Sequence, residues 1–324
     1  MRVLIVKLSS LGDVVHAMPV VHDILQAHPQ ALIDWVVEPG FAPLLHRVQG
    51  INEVIDCALR RWSKSWWTRA ARVEWRAFSG RLRRHRYDDV LDLQGLTKSA
   101  LVARVAHGVS HGLANRTEGA SHEAPARWLV DHAIRVEPHI HALDRSRELA
   151  ARALGYTVQG PPRFGLHAAA AQRTGAPTVV FVHGTSRDDK LWPEAAWIEL
   201  GRRVVARGWR VALPHAGEPE RQRAQRLQHA LGEHAVVWPA MSLDALVDRM
   251  GATQGVIGVD SGLSHIAVAL DLPHVQIYNF STAWRTGPQP AHGHHHQVSV
   301  EGQPAPTLEV VWDAWCAVMR EPGR

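Results

Sequence analysis

Apolar residues fall in short blocks separated by longer amphipathic stretches along most of the chain. In the first half the blocks lie at residues 3–6, 32–37, 54–55 and 90–93. Short unbroken apolar runs suit strands buried on both faces of a parallel sheet. Helical candidates lie between and after them, at residues 14–27, 65–84, 96–106 and 143–154. The pattern breaks over residues 159–177, where Pro161-Pro162, an alanine run, Gly175 and Pro177 read as a linker. It then restarts. Strands are predicted at 178–182, 210–213, 235–238, 256–259 and 274–278, and helices at 193–207, 218–231, 243–251 and 261–270. Two successive halves of alternating strands and helices predict an α/β protein with two doubly wound parallel sheets. The default site of such a pair of halves is the cleft between them, beyond the carboxyl ends of the strands.

Composition sharpens this picture. At 324 residues the chain suits about two domains of ordinary size. A hydrophobic content of 46% supplies cores for both and argues against wholesale disorder. Lys7, the following serines and Asp13 cut the first apolar run short, so neither a secretory signal nor a membrane-spanning helix is expected there. Cys57 and Cys316 are far apart and fit no pairing motif. A cytoplasmic protein is the expectation. The net charge of +5 is local: residues 60–86 hold ten Lys or Arg and one acid, Glu74, leaving 26 basic and 30 acidic residues elsewhere.

No G-x-G-x-x-G, P-loop, H-E-x-x-H or G-x-S-x-G signature is present, which weakens dehydrogenase, P-loop kinase, zinc protease and hydrolase readings. Four stretches carry candidate chemistry. "VDSGLSH" follows a strand: Asp260 or Ser261 suits a helix N-cap, and the amides of Ser261, Gly262 and Leu263 would form an anion site, with His265 a turn further on. A capped helix without ligand would look the same. "HGTSRDDKLWP" offers small donor-rich residues, Thr185 and Ser186, and a cation, Lys190; it could serve an anionic leaving group or be a polar loop ahead of a helix beginning at Pro193. Glu218 and Glu220 follow a strand end, where a carboxylate binds a sugar hydroxyl or simply favours a helix start. The basic stretch interleaves ten cations with Trp62, Trp66, Trp67 and Trp75, which fits nucleic acid, a membrane surface, a polyanionic substrate, or a solvated helix with core tryptophans. The run His292–His296 reads as an exposed loop, and ligands so closely spaced rarely close a tetrahedral metal site.

In their order and spacing, "MRVLIVKLSSLGDVVHAMPV", "DLQGLTKSA", "TSRDDKLWP" and "VDSGLSHIAVAL" resemble glycosyltransferase family 9, the lipopolysaccharide heptosyltransferases. The similarity spans essentially the whole chain. It implies a GT-B fold: two Rossmann-like domains facing a central cleft, with acceptor on residues 1–160, a linker at 161–177 and nucleotide-sugar on 178–305. A last helix within 306–324 would cross back to the first domain. The implied reaction is inverting, metal-independent transfer of heptose from ADP-L-glycero-β-D-manno-heptose to the Kdo of lipid A, with no cofactor. The implied setting is a monomer, peripheral on the cytoplasmic face of the anionic inner membrane, with no nucleic acid partner. Another transferase of the same family, or a nucleic-acid-binding protein using residues 60–86, are the alternatives. By resemblance Asp13 is the catalytic base. Thr185, Ser186, Lys190, Glu220, Met241, Asp260, Ser261, Gly262, Leu263 and His265 bind the donor. Ser10, Gly12, Arg60, Arg61, Lys64, Gln94 and Lys98 face the acceptor. After Tyr278, "NFSTAWRTGP" departs from the family pattern, and no role is assigned to that loop.

Overall fold

The computed structural model describes residues 1–170, 176–289 and 296–320. The chain forms two compact units, Met1–Leu166 and His167–Arg324. In the first, six parallel strands lie in the order β3-β2-β1-β4-β5-β6: β1 Arg2–Val6, β2 Leu32–Val37, β3 Ile51–Asp56, β4 Arg86–Asp92, β5 His107–Leu113 and β6 His132–Ile134. Val3, Leu4, Ile5 and Val6 are all fully buried, which is why β1 reads as an unbroken apolar run. Leu4, Val6, Val36 and Ile55 share one cluster with Phe78 and Leu82 of the helix Arg69–Leu82 and with Val102 and Ala103 of the helix Thr97–Val105. Burying each such large side chain contributes about 1.5–3 kcal/mol.

Helix boundaries differ from the sequence expectation in two instructive places. The helix expected over 14–27 is two, Leu11–Ala17 and Pro19–Ala27. Pro19 starts the second one, where its missing N–H is no loss. The helix expected over 65–84 is also two, Leu59–Ser65 and Arg69–Leu82. They part at Thr68, whose hydroxyl accepts the Ala71 amide at 3.2 Å and caps the second.

The second unit repeats the topology. Its parallel strands, β7 Thr178–Val182, β8 Arg210–Leu213, β9 Ala235–Val237, β10 Gly255–Val259, β11 His274–Tyr278 and β12 Gln297–Glu301, lie in the order β12-β11-β10-β7-β8-β9. The core holds Phe181 and Trp192 packed on Trp197, with ring centroids 5.0 and 5.1 Å apart. The helix Leu308–Val318 sinks Val311, Trp315 and Val318 into this unit's core.

In both sheets the strand order reverses once, between β1 and β4 and between β7 and β10. Ligands of doubly wound sheets bind outside the carboxyl ends of the strands flanking such a reversal. That rule selects four segments: those following β1, β4, β7 and β10.

Candidate active site

After β1 the chain turns at Leu8-Ser9-Ser10 into the helix Leu11–Ala17. Gly12 lies inside this helix and not in the turn. Gln94, after β4, makes the turn instead: its side-chain oxygen accepts the amides of Leu8 and Ser9, each at 3.2 Å. One oxygen of Asp13 accepts the amide and hydroxyl of Ser10, at 3.1 and 2.8 Å, as a capping carboxylate does. Its other oxygen lies 3.9 Å from both Lys7 Nζ and an Arg145 guanidinium nitrogen. Burial pushes the Asp13 carboxyl up, but the Lys7 charge, the Ser10 hydrogen bonds and Arg145 outweigh it and hold the group well below the usual carboxylate range. The side chain is still 38% exposed, so this carboxylate is both ionised and reachable.

Lys7, Arg145 and Asp92 are absent from the sequence-based site, yet they set its charge. Lys7 is 1% exposed and donates to the Leu93 carbonyl at 3.0 Å. Burial lowers its ammonium to about 8, against the pull of Asp13. Burial raises Asp92 to about 6, against hydrogen bonds from the amides of Gln94 and Gly95 and the Ser99 hydroxyl. Lys7 ends an apolar run, which gave the one available signal: a charge placed where a buried strand stops.

Beside the turn is a cavity of about 400 Å³. Arg60, Lys64, Gln94 and Lys98 line it, with Leu8, Ser9 and Glu38 among their neighbours. Four of the residues expected to face an acceptor are therefore brought together. Arg61 is not among the lining; its guanidinium is spent on Glu74, at 2.9 and 2.5 Å. Ser10 and Gly12 lie outside the lining as well.

In the second unit the segments after β7 and β10 are tied to each other. The Thr185 hydroxyl donates to the Asp260 carbonyl at 3.0 Å, and Lys190 Nζ donates to the Asp260 carboxylate at 2.5 Å. His265 Nε2 lies 3.4 Å from the other Asp260 oxygen. Burial would raise Asp260, but His265 and Lys190 hold it far below the ordinary carboxylate range. Ser261 occupies the N-cap of the helix Gly262–Ala269, yet its hydroxyl is buried and caps nothing. The first-turn amides, including those of Gly262 and Leu263, need partners from outside the helix. Glu220 takes the Ala216 amide at 2.7 Å and presses on the loop, so that a Cβ at Gly184 would collide with its carboxylate. Ser186 is exposed beside Thr185, and Met241 is half-buried in the segment following β9. Asn279, the first residue of the loop given no role, donates to the carbonyls of Asp189 and Leu191, both at 3.0 Å. It pins the turn that carries Lys190.

Among the described residues, no three His, Cys, Asp or Glu side chains are grouped to hold a metal ion. His292 to His295 lie outside the described residues; His296 pairs with Asp271 at 2.9 Å. No described helix is long and apolar enough to cross a membrane.

A doubly wound pair of sheets, one bearing an anion-ready helix start with a lysine and the other a reachable carboxylate beside a basic cavity, is the equipment of a nucleotide-sugar transferase. The chain belongs to glycosyltransferase family 9 (heptosyltransferase), whose profile matches residues 75–311. It is 41% identical over 285 residues to lipopolysaccharide heptosyltransferase 1 of Escherichia coli K12, covering 86% of this chain and 88% of the relative. Its structure resembles E. coli heptosyltransferase WaaC with ADP, with a TM-score of 0.87 and 36% identity, covering 97% of this chain and 98% of that one. It also resembles the same enzyme with ADP-2-deoxy-2-fluoro heptose, with a TM-score of 0.79 and 36% identity over 99% and 98% of the chains.

Proposed function

We propose that this transferase moves L-glycero-D-manno-heptose from ADP-heptose to the Kdo of lipid A in lipopolysaccharide inner-core synthesis. The observation that carries the proposal is that one unit sets an ionised, reachable Asp13 beside a cationic cavity and the other sets Lys190 beside the start of the helix Gly262–Ala269. The 41% identity to a curated heptosyltransferase 1 supports heptose as the sugar, and the likeness to WaaC bound to ADP supports ADP as its carrier.

Asp13 acts as general base. It takes the proton from a Kdo hydroxyl as that oxygen attacks the heptose anomeric carbon. The bond from that carbon to the ADP oxygen breaks in the same displacement, with inversion. A carboxylate suffices because the proton moves while the new bond forms. The transition state has oxocarbenium character, by analogy with glycoside hydrolysis. Negative charge grows on the departing diphosphate. Lys190, the first-turn amides of Gly262 and Leu263, and the Ser186 hydroxyl meet it with donors, while Thr185 ties their two loops together through the Asp260 carbonyl. These groups supply the charge compensation that a divalent ion would otherwise bring, so the reaction runs without one. His265 keeps Asp260 oriented on Lys190. Glu220 and Met241 serve the ribose and adenine. Arg60, Lys64 and Lys98 hold the anionic acceptor, and the enzyme works as a monomer on the cytoplasmic face of the inner membrane.

A panel of nucleotide-sugars against Kdo–lipid A, read by mass spectrometry with and without excess EDTA, tests this. A single heptose addition from ADP-heptose, insensitive to EDTA, is expected. Addition from another donor, transfer only to an acceptor already carrying a heptose, or a requirement for a divalent ion would refute the corresponding part.

A further inference from the structure

The structure divides the four tryptophans of the basic stretch into two pairs. Trp62 and Trp75 pack with Phe78, ring centroids 5.4–5.8 Å apart, and Trp62 Nε1 donates to Glu74 at 2.7 Å. Trp66 and Trp67 face out, 69% and 62% exposed, at the corner between the helices Leu59–Ser65 and Arg69–Leu82. Beyond that corner Arg69, Arg72, Val73 and Arg76 are all exposed and spaced to form one stripe of the second helix. Glu74, the stretch's one acid, is spent on Arg61 and Trp62, so it offsets none of the stripe's charge.

We propose that this corner is a docking surface for an anionic lipid bilayer, with Trp66 and Trp67 in the interfacial layer and Arg69, Arg72 and Arg76 over headgroup phosphates. Indole rings favour the membrane interface, and stable peripheral binding takes two signals, here an aromatic pair and a polybasic stripe. A single-stranded nucleic acid fits less well. The two rings meet at 81°, edge to face, rather than presenting the parallel platform on which successive bases stack. Lys64 precedes the corner by two residues and also lines the cationic cavity, so a docked corner sets the cavity beside the headgroups. This last consequence rests on the lipid-borne acceptor proposed above; the docking itself does not.

The test is flotation of the full chain with vesicles of phosphatidylcholine alone or mixed with phosphatidylglycerol. Binding only to the mixed vesicles, weakening as salt rises, is expected. The Arg69→Gln/Arg72→Gln/Arg76→Gln variant should bind about a hundredfold more weakly, since each cation near such a surface is worth roughly a factor of five. The Trp66→Ala/Trp67→Ala variant should also lose vesicle binding, yet turn over a delipidated Kdo acceptor at the parent rate and a vesicle-borne one poorly. Both variants change exposed side chains, and unchanged thermal melting verifies their fold. Parent-like vesicle binding by either variant overturns the proposal. So does loss of turnover on the delipidated acceptor in the Trp variant, or displacement from vesicles by a single-stranded oligonucleotide. Vesicle binding without turnover on any Kdo acceptor would sink the acceptor assignment and leave the docking intact.

Discussion

Replacing Lys190 with Met should separate its structural from its chemical role. In the folded chain Lys190 is the 2.5 Å partner of Asp260. Removing one member of a buried ion pair costs about 3–5 kcal/mol, because the remaining charge is stranded. The side chains are 22% and 6% exposed and His265 stays beside Asp260, so the cost here falls below that range. A loss of about 2–3 kcal/mol corresponds to a melting temperature lowered by roughly 4–12 °C for a domain of about 150 residues. Turnover should fall further than stability explains, by about 10²–10³, the usual worth of one fixed donor to a developing oxyanion. Adding Asp260→Asn removes the stranded charge. The double variant should recover most of the lost melting temperature and none of the turnover. Differential scanning calorimetry and single-turnover transfer read the two effects separately. Recovery of turnover in the double variant would show that Lys190 acts only as a partner for Asp260.

Two further predictions concern groups outside the sequence-based site. Lys7 is lowered to about 8 by burial, so it is charged below that pH and neutral above it. Raising the pH through 8 should strip Asp13 of one of its two cations; the carboxylate stays ionised and becomes the stronger base, so turnover should bend upward. In Lys7→Met the bend should vanish, with neutral-pH turnover already at the raised level the parent reaches above pH 8. A bend that survives the substitution belongs to another group. Asn279→Ala deletes two hydrogen bonds to the Lys190 turn, worth about 1 kcal/mol each. Calorimetric titration should then show ADP bound roughly 5–30-fold more weakly, and an unchanged Kd would free the turn from Asn279.

The buried strands were legible because their apolar runs are unbroken, as in β1 and β10. β5, "HGVSHGL", was not. It carries two histidines, two glycines and a serine, and three of its seven positions are exposed. β6 has three residues, and β12 alternates Gln, Ser and Glu with its two valines, so neither forms an apolar block. The four candidate loops were legible as motifs, but the electrostatics around Asp13 were not. Arg145 sits in the charged helix Ala142–Leu154, where "DRSRE" looks like a solvated face, yet Arg145 and Arg147 are buried there. Arg147 grips Asp23 at 2.7 and 2.8 Å across 124 residues. Such pairings appear only once the sheet has brought distant segments together. The tryptophans of the basic stretch were ambiguous for a related reason: a helix broken at Thr68 turns two of them inward and two outward.

The central claim is that Asp13 is the base. Asp13→Asn keeps a side-chain oxygen to accept the Ser10 amide and hydroxyl, and so preserves the helix start while removing the charge. Single-turnover transfer from ADP-heptose to Kdo–lipid A, paired with ADP-heptose titration of the same variant, measures its role directly. The account predicts a rate lower by about 10²–10⁴ with donor affinity unchanged. A near-parental rate would contradict it.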